Sequence, residues 1–225
     1  MMIPDVIYLD NHLLVVNKPA GMLSQADETG DFDIISWAKQ YLAEKFDKPG
    51  NVYAGLVHRL DRPASGVMLI ARTSKAAARL ALTFKDRKVT KTYLALVEGL
   101  PDDHGRAEDY LAKTDRKVRV VRATHPEAKK AEMEWTLRGA VGKRSLVEIS
   151  LETGRAHQIR VQMAKRGWPI SGDLRYKAKE EFDGKNLALH AWKLGLEHPV
   201  KKEPMLWTAP PKHPWPMWAR DLIKP

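Results

Sequence analysis

Between Lys91 and Leu196 the chain returns repeatedly to short runs in which apolar and polar side chains alternate, and that period of two constrains the fold more than any other feature. Lys91–Glu98 sets Tyr93, Ala95 and Val97 on one side and Thr92, Leu94 and Leu96 on the other. Lys130–Arg138 aligns Ala131, Met133, Trp135 and Leu137, Lys117–Arg122 alternates basic with apolar residues, and Leu187–Leu196 aligns His190, Trp192, Leu194 and Leu196. Half-buried antiparallel strands carry this signature, with one face on a core and the other on solvent. Ser145–Glu152, Val6–Leu9, Leu13–Val16 and the doubly buried Val67–Ala71 bring the set to eight or more strands. Asp10-Asn11-His12 and Gly139–Lys143 are too short to hold a crossover helix, so the strands they join close as hairpins. With three helical stretches inserted between strands, the pattern predicts an α+β fold built on a mixed, largely antiparallel sheet.

The first helical stretch sets Ile34, Ala38, Tyr41, Leu42 and Lys45-Phe46 at helical spacing; Asp31 or Asp33 can cap it, and Lys48-Pro49-Gly50 stops it. The second opens at Ser74 and runs through Asp86 with Ala77, Leu80, Ala81 and Phe84 as its apolar face. The third follows Thr153-Gly154-Arg155 and ends at Gly167 before Pro169; on it His157 and Arg160 are three apart and therefore neighbours, with Ala156 and Ala164 leaving room around the guanidinium. Trp207–Trp218 combines prolines with three tryptophans, as expected of a segment laid across the surface and anchored by its indoles.

The 225 residues, 44% of them hydrophobic, suffice for one domain spanning 1–225, and no long linker or repeat divides it. Lys and Arg number 38 against 28 Asp and Glu, a formal charge of +10 that suits a polyanionic partner. Without cysteine there is neither disulfide nor thiolate chemistry. Acidic and polar residues interrupt the apolar runs of the first 19 residues, so neither a signal peptide nor a membrane span is expected and the cytoplasm is the default location. His157, His190 and His198 match no metal-ligand spacing, so no metal site is expected.

One stretch looks like chemistry. In Leu56–Thr73 an apolar lead-in reaches His58-Arg59-Leu60-Asp61, Arg62-Pro63-Ala64-Ser65-Gly66 turns the chain, and a buried strand follows. Asp61 therefore sits on a loop held at both ends. By itself an Asp in such a turn only shapes the turn.

The stretch resembles the HRLD-x-x-T-S-G signature of the RluA family of RNA pseudouridine synthases, with Ala64 standing where Thr is usual. Val15–Ser24, Lys91–Gly99, Thr153–Met163 with Gly172-Asp173 and Tyr176, and Leu187–Pro199 resemble the family's other motifs, in the family's order and over nearly the whole chain. The resemblance implies the pseudouridine synthase catalytic domain, its motifs converging on a central cleft, without room before Val15 for the family's accessory RNA-binding domain. It makes Asp61 the catalytic carboxylate. Tyr93 would stack on the uracil and help move the C5 proton, and Arg160 would keep Asp61 ionised. Arg59 would fill the space left by a flipped base, Leu189 would form an apolar wall, and His58, Arg155, His157 and Gln158 would touch the RNA. Lys18, Pro19, Gly172 and Asp173 would be structural supports. The implied substrate is a uridine in folded tRNA or rRNA, with no cofactor and a monomeric enzyme.

Two other readings compete. A non-catalytic RNA-binding relative would keep the charge and lose the acid, whereas Asp61, Tyr93 and Arg160 are all present. A carbohydrate hydrolase would need a second carboxylate as proton donor, and the family pattern treats Asp173 of the matched motifs as structural.

Overall fold

The computed structural model describes residues 3–48, 50–114 and 117–223; Pro49, expected to help stop the first helix, lies outside them. The chain divides into two units, residues 1–89 with 191–209 and residues 90–190 with 210–225.

The first unit begins with β1 (Asp5–Leu9) and β2 (Leu13–Lys18), an antiparallel hairpin. Its turn is set by Asp10, whose Oδ1 accepts from the backbone N–H of His12 and of Leu13 at 2.8 Å each. After α1 (Ile34–Lys45) and the short β3 (Gly55–Leu56), β4 (Ser65–Ala71) pairs antiparallel with β2, Leu13 opposite Ala71 and Lys18 opposite Gly66. α2 (Ser74–Lys85) follows, and the unit is completed by residues 191–197 of β10 (Leu189–Glu197) and by β11 (Pro204–Thr208), again antiparallel. Leu13, Val15, Val67, Leu69, Leu80, Leu194 and Trp207 form its core. Asp33 is the cap of α1, accepting from Ile35 N at 2.8 Å. α2 is capped by Thr73 rather than Ser74, and its buried residues are Ala76 and Leu80. Ala77 and Phe84 are partly buried and Ala81 is exposed, so the expected face is rotated by about one residue.

In the second unit β5 (Thr90–Glu98), β6 (His104–Thr114), β7 (Lys117–Val121), β8 (Lys129–Val141) and β9 (Arg144–Leu151) form an antiparallel array in the order β5-β9-β8-β6-β7. The alternation of β8 is met as expected, Ala131, Met133 and Trp135 being buried. α3 (Gln158–Lys165) packs its Val161 on Leu111, Val118 and Ala131, and a single 3-10 turn, Leu174–Tyr176, adds Tyr176 to that cluster. The tail splits: Trp207 belongs to β11 of the first unit, while Trp215, ahead of α4 (Met217–Asp221), is buried beside Phe182 and His190. Among the described residues no helix is long and apolar enough to cross a membrane.

Candidate active site

Asp61 lies on the connection between β3 and β4, and a second segment, Lys18–Ser24, holds that connection in place. Asp61 O accepts from Ala64 N at 3.0 Å, closing a tight turn over Arg62-Pro63. Just before the turn, the buried Ser24 uses one hydroxyl for both backbone groups of Leu60, donating to its O at 2.6 Å and accepting from its N at 3.1 Å. Just after Asp61, Gly21 N donates to Arg62 O at 2.8 Å, and Arg62 Nε donates to Gly21 O at 3.1 Å. Lys18 Nζ joins the two segments by donating to Pro19 O at 2.9 Å, Met22 O at 2.8 Å and Arg62 O at 3.4 Å. Both neighbours of Asp61 are thus fixed through their backbones, and Asp61 itself is half-buried, which holds a reacting group in place.

Lys18 is fully buried. Burial pushes its amine down to about 7; the nearby Asp61 carboxylate opposes that shift and the Arg62 charge adds to it. At the other end of the turn Gly66 has φ +122°, and a Cβ there would fall 2.2 Å from Ala191 O in β10. The Asp61 turn therefore meets β4 at a point where only glycine lets the neighbouring backbone so close. Arg59 and Arg62 are exposed, and Arg62 pairs with Asp31 at 2.5 Å.

His58 departs from the expectation of RNA contact. Its Nε2 accepts from Leu69 N at 2.8 Å and its ring stacks on Phe84 at 4.8 Å, so it ties the start of the turn to β4 and α2. Accepting that bond requires Nε2 to be unprotonated.

In the second unit, α3 is buried from Gln158 to Met163, although this stretch holds two glutamines and an arginine. Such polar groups persist in a core only when bonded. Arg160 forms a bidentate pair with Asp173, Nε to Oδ2 at 2.7 Å and Nη2 to Oδ1 at 2.9 Å, and its guanidinium lies 5.2 Å from the Tyr176 ring centre. Asp173 is held in turn by its loop: Gly172, at φ +87°, would place a Cβ 2.4 Å from Asn186 O, and Tyr176 N and Ala178 N donate to Asp173 O at 2.9 and 3.1 Å. Gly172 and Asp173 thus form the loop that carries the carboxylate partner of Arg160.

His157 is not on the helix. It is the residue before α3, in left-handed conformation at φ 50°, and its Nδ1 lies 2.8 Å from the Tyr176 hydroxyl, which also donates to Val118 O at 3.2 Å. The expected His157–Arg160 pair on one helical face is thus replaced by two separate partnerships with the Asp173–Tyr176 loop. Gln158 also differs from expectation. It is 3% exposed, its Oε1 accepting from Thr153 Oγ1 at 2.7 Å and Arg155 N at 3.0 Å while Nε2 donates to Glu132 O at 3.0 Å. It builds the Thr153–Arg155 turn instead of facing a ligand. Arg155 is half-buried with Nε on Lys130 O at 2.9 Å. Tyr93 and Lys91 share one face of β5, both half-buried, and Lys91 Nζ lies against Gly154. Leu189, at the start of β10, is 5% exposed.

Sequence reasoning missed two residues. Ser24 is 36 positions from Leu60, and nothing local marks its hydroxyl as the one fixing the turn. Tyr176 was noticed only within a motif; its buried ring and hydroxyl organise both His157 and Arg160.

Over residues 12–165, a span that includes Asp61, Tyr93 and Arg160, the chain matches the family model described as RNA pseudouridylate synthase. It is 33% identical over 208 residues to the ribosomal large subunit pseudouridine synthase D of Zymomonas mobilis, covering 87% of this chain but 65% of that one, so it spans slightly less than two thirds of that relative's length. To the tRNA pseudouridine synthase C of Yersinia pestis it is 37% identical over 235 residues, covering 94% of this chain and 88% of the other. Among solved structures, human RNA pseudouridylate synthase domain containing 4 shares the fold, with a TM-score of 0.78 at 23% identity over 93% of this chain and 89% of that one. Matches of this extent mean that the chain belongs to the RNA pseudouridylate synthase family.

Proposed function

We propose that this chain acts as a single catalytic domain that isomerises uridine to pseudouridine in folded transfer or ribosomal RNA, with Asp61 as the catalytic carboxylate. The observation that carries the proposal is the Asp61 turn, fixed on both sides by Ser24, Gly21 and Lys18 and carrying a half-buried carboxylate within the family's HRLD motif. The reaction breaks N1–C1′, turns the base and joins C5 to C1′; the C5 proton is lost and N1 gains one. Nothing is oxidised and no group is carried, so the chemistry calls for neither metal nor organic cofactor.

As N1 leaves, C1′ becomes electron-deficient, and an ionised carboxylate stabilises it by attack or by charge, as in retaining glycosidases. Asp61 has that role. Arg160 supplies a positive charge to the reaction, and its bidentate pair with the buried Asp173 sets the direction of its guanidinium. Tyr93 is the platform for the flipped uracil, Arg59 fills the stack it leaves, and Leu189 forms an apolar wall. Arg155 is the RNA contact of its turn. His58, His157, Gln158, Lys18, Pro19, Gly172 and Asp173 position these groups. The enzyme works as a cytoplasmic monomer.

Incubation with RNA, nuclease digestion and nucleoside chromatography tests the proposal. Wild-type protein forms pseudouridine and Asp61→Asn does not, while RNA affinity stays within about tenfold, or ~1.4 kcal/mol, because the carboxylate acts mainly in the transition state. A single-turnover rate for Asp61→Asn above a few per cent of wild type, with deamidation excluded by mass spectrometry, would refute the assignment.

A further inference from the structure

A groove of about 540 Å³ opens in the second unit beside the Thr153–Arg155 turn. Its floor is apolar, from Leu111 of β6 and Val118 of β7, which are 2% and 8% exposed. Among the described residues its rim carries Lys113, Lys129 and Arg155 against one acid, Glu127. Lys113 and Lys129 are exposed, and among the described residues neither forms an ion pair. Gly154 and Ala156 keep the wall nearest α3 low.

We propose that this groove seats an unpaired nucleotide of the RNA substrate other than the target uridine, and this rests on the reading of the chain as an RNA-modifying enzyme. Three arguments favour that occupant. The volume falls within the roughly 300–1,000 Å³ of sites that hold one small ligand, so it suits a nucleotide and not a duplex. An apolar floor under a cationic rim matches a base with its flanking phosphates, the combination by which single strands are held without reading their sequence. The groove also shares a wall with the turn that leads into α3: Arg155 lines it, Arg155 N is bonded to Gln158, and Val118, in the floor, accepts from the Tyr176 hydroxyl. A nucleotide seated here bears on the same residues that fix His157 and Arg160. Binding in the groove thus selects RNAs that present an unpaired nucleotide besides the target.

The test uses a fluorescent oligouridylate decamer with 4-thiouridine at one internal position. Irradiation with the wild-type protein gives crosslinks that mass spectrometry places on residues 111–113, 118, 126–129 or 154–156. Charge reversal of Lys113 and Lys129 to Glu weakens decamer binding at least tenfold and reduces the slope of log affinity against log salt by about 1.4, the value for two single-strand phosphate contacts. Crosslinks confined to other segments, or a double variant that binds within twofold of wild type, overturn the proposal; weakened binding with crosslinks only elsewhere means a long-range field and also overturns it. The decamer readouts are independent of turnover, so crosslinks in the groove from a protein that forms no pseudouridine in any RNA would remove the proposed function and leave the site. Pseudouridine formation with crosslinks only elsewhere removes the site alone.

Discussion

Replacing Lys18 by Met tests how the Asp61 turn is supported, and its effect depends on pH in a way the structure fixes. The fully buried Lys18 amine titrates near 7 instead of 10.5, chiefly through desolvation. Between these values the unfolded chain holds a proton that the folded chain has released, so stability rises with pH across that window; the cost of burying the charge is complete below pH 7 and gone above about 10.5. Integrating the two titrations gives a gain of about 3 kcal/mol from pH 7 to about 9.5. Donation to three carbonyls favours the ammonium, which has three N–H groups where the amine has two, so about 3 kcal/mol is the upper end. Lys18→Met has nothing to titrate there but leaves Pro19 O and Met22 O without this donor, a loss of about 1–3 kcal/mol. The variant is accordingly less stable than wild type at pH 9.5, the difference narrows towards pH 7, and its own stability lacks the Lys18 slope. Urea unfolding of both proteins by tryptophan fluorescence at several pH values measures this directly. Parallel pH dependences within about 0.5 kcal/mol would show that Lys18 keeps its proton and that the carbonyls outweigh burial.

Three further outcomes are expected. Asp173→Ala removes the carboxylate from a buried bidentate pair and should cost about 3–5 kcal/mol in urea unfolding, with Arg160 no longer oriented; full activity in this variant would show that Arg160 needs no such support. Gly66→Ala places a Cβ 2.2 Å from Ala191 O at φ +122°, and a destabilisation of about 3 kcal/mol or more is expected by the same measurement. Arg59→Ala should slow single-turnover pseudouridine formation most on tightly stacked targets and little on an unstructured RNA, since base flipping is the step it serves; equal slowing on both would argue against a filler role.

The strands that sequence pattern alone identified are those whose inward positions are uniformly apolar, such as β8 with Ala131, Met133 and Trp135. β6 went unread for a physical reason. Its inward residues are Ala107, Asp109 and Leu111, and the buried Asp109 breaks the apolar alternation. That carboxylate is tolerated because Gln162 and Lys165 of α3 and Arg166 just after it reach it at 2.9, 2.6 and 3.0 Å, partners 53 to 57 residues away that no local window contains. β11 was hidden in the same way, because a strand next to prolines and tryptophans is recognised only by its pairing with β10. The cap of α1 was legible because Asp33 and the N–H groups it serves are within three residues of each other.

The sequence by itself determined the α+β class, the hairpins, the helix positions to within about a residue or two, and the Asp61 turn with its proline and glycine. These follow from period, turn chemistry and capping, all of which act over a few residues. Tertiary structure alone decided that Ser24 and Lys18 fix the turn and that β4 admits only glycine at 66. It also set His157 outside the helix, turned Gln158 and His58 inward, and gave Arg160 the Asp173–Tyr176 loop as its mount. Each of those outcomes depends on a buried polar group finding a partner far along the chain. Burial makes the partner obligatory, but only the packed arrangement of strands says which one it is.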